Sequence, residues 1–211
     1  MIQEIQIDSE LADRVNKELH APRVRWEYLA MTTKFFDGSN EEQKKIIAEI
    51  RKNYPVNDTQ KFSENIYNET THPKPFIQIR QDPESRYNKV FPSTAKLIDT
   101  IQQKHIPSNY KVVRIITNMQ TIRPSWSINA IHPDMKHKDF ISVLYYANDS
   151  DGDTLFYEGP ECVYRKSPVK GTAVIYPSSM LHAGSTPTKT ETRVVINMVF
   201  APKNITIRPA D

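Results

Sequence analysis

From Lys111 onward the chain is a succession of short β-branched and aromatic runs with no helical pattern between them: "KVVRIITNM", "SWSINAIH", "FISVLYYA", "DTLFYEG", "CVYR", "TAVIYP", "TRVVINMVF" and "ITI". This constrains the fold more than any other feature. A parallel sheet needs a long crossover, usually a helix, between successive strands. The separators here are turn material such as "NDSDGD", "SPVKG" and "STPTKTE". Short strands at this spacing predict an antiparallel sandwich or barrel, and the expected architecture is a double-stranded β-helix, or jelly roll.

Residues 1–107 have another texture, and the expected division is a helical and loop region over 1–107 packing on a β core over 108–211. Asp8 or Ser9 is placed to cap a helix in which Leu11, Val15 and Leu19 recur every four residues. Ser39 followed by Glu42 reads as a capping box, with Ile46, Ile47 and Ile50 forming the apolar face that follows. Pro92 opens a third helix with Leu97, Ile98 and Ile101 on one side, and Pro107 stops it. The prolines and polar residues of 55–92 predict loops, with "FIQIR" as a short embedded strand and the whole stretch as a lid that closes over a bound substrate. The fold class is therefore α+β, mainly β, with an N-terminal helical layer.

Charge and cysteine content exclude several functions. The formal charge of +3 is spread over 28 basic and 25 acidic residues, with no Lys/Arg run of the kind that binds nucleic acid or a membrane surface. Cys162 is the only cysteine, so neither a disulfide framework nor a thiolate metal cluster is available. The start of the chain, "MIQEIQIDSE", has no apolar core of a signal peptide, and no run approaches membrane-spanning length. A cytoplasmic protein is expected.

The chemistry concentrates in "IHPDMKHKDFISVLYY", which holds two His-x-Asp pairs, His132/Asp134 and His137/Asp139. Residues i and i+2 of a strand share a face, so either pair can turn two donors toward one ion. Two histidines and one carboxylate make the facial triad of non-haem Fe(II) oxygenases, which leaves coordination positions open. His182, just past the run "GTAVIYP", is the candidate for the distant histidine. Connection length favours His132/Asp134: residues 135–139 then turn the chain into the next strand, whereas Asp139 abuts it. The His137/Asp139 pair remains the alternative. Arg193, inside the apolar run "TRVVINMVF", needs a buried anion or a barrel carboxylate as partner.

Taken together, His132-x-Asp134, "SVLYYANDSDGDTLFY", "GTAVIYPSSMLHAGSTP" and "TRVVINMVF" resemble the Fe(II)- and 2-oxoglutarate-dependent oxygenases, in particular the prolyl 4-hydroxylase-like branch, over roughly residues 111–200. The resemblance implies His132, Asp134 and His182 as catalytic metal ligands. It makes Arg193 and the Tyr146 hydroxyl partners of the distal carboxylate of 2-oxoglutarate, with Ser142 and Leu144 lining the co-substrate pocket. Fe(II), 2-oxoglutarate and O₂ are the implied cofactor and co-substrates. The implied reaction is hydroxylation of a small-molecule or peptide substrate, with a prolyl residue as the analogy offered by the branch. Two departures are Val195, where many relatives carry Ser or Thr two residues after the arginine, and Pro133 within the metal motif. The alternative function is a non-catalytic jelly-roll binding or structural module.

Other features have plainer readings. "NDSDGDT" begins like a calcium loop but has Thr154 and Pro160 where such a loop needs Gly and Glu, so a turn with Gly152 at positive φ is expected. His20, His72 and His105 lack spaced partners. Cys162 reads as a small core residue, and Trp126 as core or entrance lining.

Overall fold

The computed structural model describes residues 1–22, 24, 26–29, 40–56, 61–68 and 89–205. Among them the elements run β1 (Gln3–Gln6), α1 (Ser9–Leu19), β2 (Glu27–Leu29), α2 (Glu41–Asn53), β3 (Lys61–Asn68), α3 (Pro92–His105), β4 (Tyr110–Thr121), β5 (Ile141–Tyr146), β6 (Thr154–Glu158), β7 (Glu161–Lys166), β8 (Thr172–Pro177), β9 (Leu181–Gly184) and β10 (Thr192–Pro202). The fold is mainly β, in two antiparallel sheets. The larger has the order β1-β8-β5-β10-β4-β3-β2 and the smaller β7-β6-β9.

Strand alternation assigns the layers. On β5, Val143 and Tyr145 face a core shared with α1 and α3, while Leu144 and Tyr146 face the opposite way. Strands β8 and β10 repeat this, with Ala173, Ile175, Val194 and Ile196 toward the helices and Val174, Tyr176 and Val195 inward. Phe156 of β6 joins the inward set, so this cluster lies between the two sheets. On the outer face of the small sheet, Leu155, Tyr157, Leu181 and Ala183 pack against Ile47 and Ile50 of α2. The helices thus cover both outer faces, and the inner faces are left for a site.

Local signals explain the helix ends. Asp8 caps α1, accepting from the Leu11 amide at 3.0 Å. For α2 the cap is Asn40, which accepts from the Gln43 amide at 2.9 Å. The expected cap Ser39 lies outside the described residues. Pro92 begins α3 as expected, but the preceding Phe91 has no capping side chain. The missing acceptor comes from α1: the buried Glu18 carboxylate accepts from the Ser93 and Thr94 amides, both at 2.8 Å, and from the Thr94 hydroxyl at 2.7 Å. This negative charge also faces the positive end of the helix dipole.

The structure corrects several expectations. Residues 61–68, read as loop, form β3 and pair with β4. Their polar composition gives a weak strand signal, and the available edge of β4 decides the outcome. The N-terminal half also supplies β1, paired with β8, and β2, paired with β3. The run "SWSINAIH" is not a regular strand. Its bridges pair His132 with His182 and Ile128 with Ser185, four residues on one side against three on the other, and the slipped register interrupts the ladder. Gly152 does not have positive φ, which among the described residues belongs to Gly159 and Gly171. The strand expected at "FIQIR", most of the expected lid and most of "ITI" lie outside the described residues. Among the described residues no helix is long and apolar enough to cross a membrane.

Candidate metal centre and anion site

His132 and His182 face each other across a single antiparallel bridge, their backbones exchanging hydrogen bonds of 3.1 and 3.0 Å. Each ring is oriented through Nδ1, His132 against the Ala130 carbonyl at 2.8 Å and His182 against the Met180 carbonyl at 3.1 Å. A carbonyl only accepts, so each Nδ1 is the donor, which makes Nε2 the atom each ring would offer a cation. The rings lie 4.8 Å apart. Asp134, two residues past His132, brings Oδ2 to 4.0 Å from His182 Nε2. One ligand atom from each of the three residues falls within 4.8 Å of the others. Two imidazoles and a carboxylate so gathered suit a divalent first-row transition metal.

The Asp134 carboxylate is held on both oxygens. Oδ1 accepts from Arg114 Nη2 at 2.8 Å and Asn197 Nδ2 at 3.0 Å, and Oδ2 accepts from the Tyr176 hydroxyl at 2.7 Å and Asn197 Nδ2 at 3.1 Å. Burial works against its charge, but His182, Arg114, His132 and the Tyr176 hydroxyl together outweigh that and hold it well below the usual carboxylate range. Burial and the neighbouring Asp134 keep the Tyr176 phenol well above its ordinary value, so it stays a neutral donor. Phe156 and Tyr176 wall His182 at ring separations of 5.9 and 5.2 Å.

The alternative pair is not drawn in. The His137 ring stacks on Phe140 at 4.7 Å, and Asp139 is exposed. Residues 135–139 form the turn that feeds β5, and Phe140 anchors its end in the core.

Arg193 lies on the same inward face of β10 as Asn197, four residues away. It is buried, and its hydrogen bonds go to neutral groups: Nε to the Gly152 carbonyl at 2.6 Å, Nη2 to Thr154 Oγ1 at 2.7 Å and Nη1 to Gln120 Oε1 at 3.4 Å. Among the described residues no carboxylate forms an ion pair with it. Asp153, beside Gly152, is taken by Arg165, whose Nε and Nη2 both stand at 2.5 Å. Burial lowers the Arg193 pKa, yet guanidinium starts high enough to stay charged. A buried cation without a counter-ion is costly unless an anion joins it.

The surroundings of Arg193 are built for close approach. A Cβ on Gly152 would stand 2.8 Å from Arg193 Cδ and 2.8 Å from the Ser185 carbonyl, and one on Gly184 would stand 3.2 Å from Nη2. Gly152 is thus required by contact rather than by conformation. The Tyr146 hydroxyl also donates to Thr154 Oγ1, at 2.9 Å, which links it to Arg193, and burial pushes its pKa up to about 12. Leu144 packs beside Tyr146, while Ser142 bonds the Ser178 hydroxyl at 2.8 Å.

Sequence reading missed Arg114, Tyr176, Asn197 and Thr154. For Asn197 there was a usable signal: it stands four residues after Arg193 in an apolar strand, hence on the same face. The rest of the surroundings are bland. "NDSDGDT" is a structural turn, in which Asp151 accepts from Thr188, Lys189 and Thr190. Cys162 and Trp126 are half-buried and pack against the α2 cluster.

No protein-family model matches the sequence. No curated protein matches it significantly. Solved structures do match. An oxidoreductase of the 2OG-Fe(II) oxygenase family from Burkholderia pseudomallei aligns over 97% of both chains with TM-score 0.51 and 11% identity. HygX from Streptomyces hygroscopicus with nickel and 2-oxoglutarate bound aligns over 97% of this chain and 84% of its own, with TM-score 0.51 and 10% identity. The same enzyme with hygromycin B also bound gives the same TM-score and identity over 97% and 83%. At these identities the likeness establishes a shared fold.

Proposed function

We propose that this chain is an Fe(II)- and 2-oxoglutarate-dependent oxygenase on a jelly-roll core, hydroxylating a small-molecule or peptide substrate. The carrying observation is the pairing of two sites on one inner surface: a His132/Asp134/His182 donor set and a buried Arg193 that no carboxylate among the described residues pairs with. The donor set suits Fe(II), and Arg193 suits the far carboxylate of a dicarboxylic co-substrate. HygX, of the same fold, was solved with nickel and 2-oxoglutarate bound.

When bound, Fe(II), 2-oxoglutarate and O₂ supply an oxidative decarboxylation that releases succinate and CO₂ and places one oxygen atom in a C–H bond. The protein's part is to bind and orient. His132 and His182 present Nε2 because their Nδ1 protons are committed to backbone carbonyls. Arg114 and Asn197 hold the Asp134 carboxylate plane. Arg193, Tyr146 and Thr154 form the anion pocket, and the Thr154 hydroxyl supplies what Val195 lacks. Leu144 gives that pocket an apolar wall. A prolyl substrate is proposed on the strength of the strand resemblance alone.

The test is succinate release from 2-oxoglutarate with Fe(II) and O₂, together with metal binding, for wild type, Asp134→Ala and Asp139→Ala. Turnover lost in Asp134→Ala and kept in Asp139→Ala is the expected result. The reverse pattern would exchange the ligand pairs. Metal binding without any succinate across a panel of substrates would favour the non-catalytic module.

A further inference from the structure

Asp134 has an unusually complete set of hydrogen bonds for a residue offered to a metal. Asn197 Nδ2 bridges both oxygens at 3.0 and 3.1 Å, Arg114 adds a bond to Oδ1, and it is Oδ2 that faces His182 Nε2. The Tyr176 hydroxyl meets that same Oδ2 at 2.7 Å. Tyr176 is buried at the end of β8, its ring edge-on to both Phe156 (4.9 Å) and His182 (5.2 Å), and Asn197 Nδ2 reaches its oxygen at 3.4 Å. The phenol therefore has no freedom to turn away, and its proton lies on the oxygen nearest the imidazoles.

We propose that Tyr176 is a positioning residue for the metal-binding carboxylate, selecting Asp134 Oδ2 as the single ligand atom and fixing its direction toward His132 and His182. The proposal rests on the metal reading above and deepens it. Oδ2 accepts the short Tyr176 bond at 2.7 Å and the longer Asn197 bond at 3.1 Å, and a cation there would displace the longer one, since Asn197 keeps its 3.0 Å bond to Oδ1. With Oδ1 committed elsewhere, Asp134 binds through one oxygen and the remaining positions stay open for co-substrate. Hydrogen-bond partners of metal ligands typically contribute ten- to a hundredfold to metal affinity.

The readout is Co(II) binding to the metal-free protein, followed by its visible absorption, without turnover. Tyr176→Phe keeps the packed ring and removes only the hydroxyl. The expected result is a Co(II) Kd raised about tenfold or more and a shifted visible band, because Oδ2 loses its shortest hydrogen bond and with it the fixed direction toward the imidazoles. Tyr164→Phe removes a comparable hydroxyl from β7, where it bonds Glu4 rather than Asp134, and should match wild type in Kd and spectrum. Wild-type Kd and spectrum in Tyr176→Phe overturn the proposal, as does an equal change in Tyr164→Phe. Should Tyr176→Phe fail to fold, the infrared carboxylate stretches gained by wild type on Co(II) loading decide instead: the wide separation of a one-oxygen ligand is expected, and the narrow separation of a two-oxygen ligand overturns the proposal. If wild type itself does not bind Co(II), the metal reading fails first, which separates that failure from this one.

Discussion

At the scale of single residues, the proposed anion site depends on one guanidinium that no carboxylate among the described residues pairs with. Gly152 and Gly184 let the Arg193 side chain lie against the backbone, and Arg165 draws the Asp153 carboxylate away. Arg193→Ala is expected to weaken 2-oxoglutarate binding about a hundredfold, near 3 kcal/mol, with Co(II) affinity unchanged. Gly152→Ala should act indirectly: its Cβ would press on Arg193 Cδ at 2.8 Å, so 2-oxoglutarate affinity falls by about tenfold. Calorimetric titration of both variants checks the pair. Unchanged affinity in Arg193→Ala would move the anion pocket elsewhere.

Single elements depend on acceptors supplied from afar. The N-terminus of α3 lacks its own cap and takes Glu18 from α1. Glu18→Ala strips three hydrogen bonds from buried or part-buried donors, and a loss of about 2–3 kcal/mol is expected in urea unfolding. A result within a few tenths of wild type would show that water replaces the carboxylate. The turns behave alike. Asp151 joins the turn after β5 to the turn before β10. Its modest burial raises its pKa, but hydrogen bonds from Thr190 and Thr188 prevail and hold it below the usual carboxylate range. A depressed folded pKa means stability that is fully present above the unfolded value of about 3.9 and lost as pH falls through the folded one. The stability gap between wild type and Asp151→Asn should therefore be widest near neutrality and shrink below about pH 4. A gap that is flat with pH would contradict this.

For the whole molecule, the two halves of the chain are interlocked. Strand β1 hydrogen-bonds β8, β3 hydrogen-bonds β4, and α1 and α3 cover residues of β4, β5, β8 and β10. Glu4 of β1 also meets Tyr164 and Lys166 of β7, linking the edges of the two sheets. The full chain should unfold in one cooperative transition, and a fragment of residues 108–211 should not fold alone, since its large sheet would lose β1 from one edge, β3 and β2 from the other, and its helical cover. Circular dichroism and amide NMR dispersion of that fragment provide the check. A well-dispersed spectrum would make the second half an independent domain.

What the amino-acid order settles here is local. Period-two alternation in "ISVLYY" and "TRVVINMVF" already separates the face toward the helices from the face toward the site, and His132-x-Asp134 carries two of the three proposed metal donors within three residues. Turn chemistry and length likewise mark where β5 begins. Tertiary structure decides whatever joins distant segments. Residues 61–68 become a strand because β4 offers an edge, not because their composition calls for one. Glu18 becomes a helix cap across 75 positions of sequence. Arg114, Tyr176 and Asn197 converge on Asp134 from three strands, and no spacing rule predicts that convergence. Periodicity records which way a side chain points, whereas its partner is set by how strands are ordered in a sheet, which depends on the packing energy of the whole.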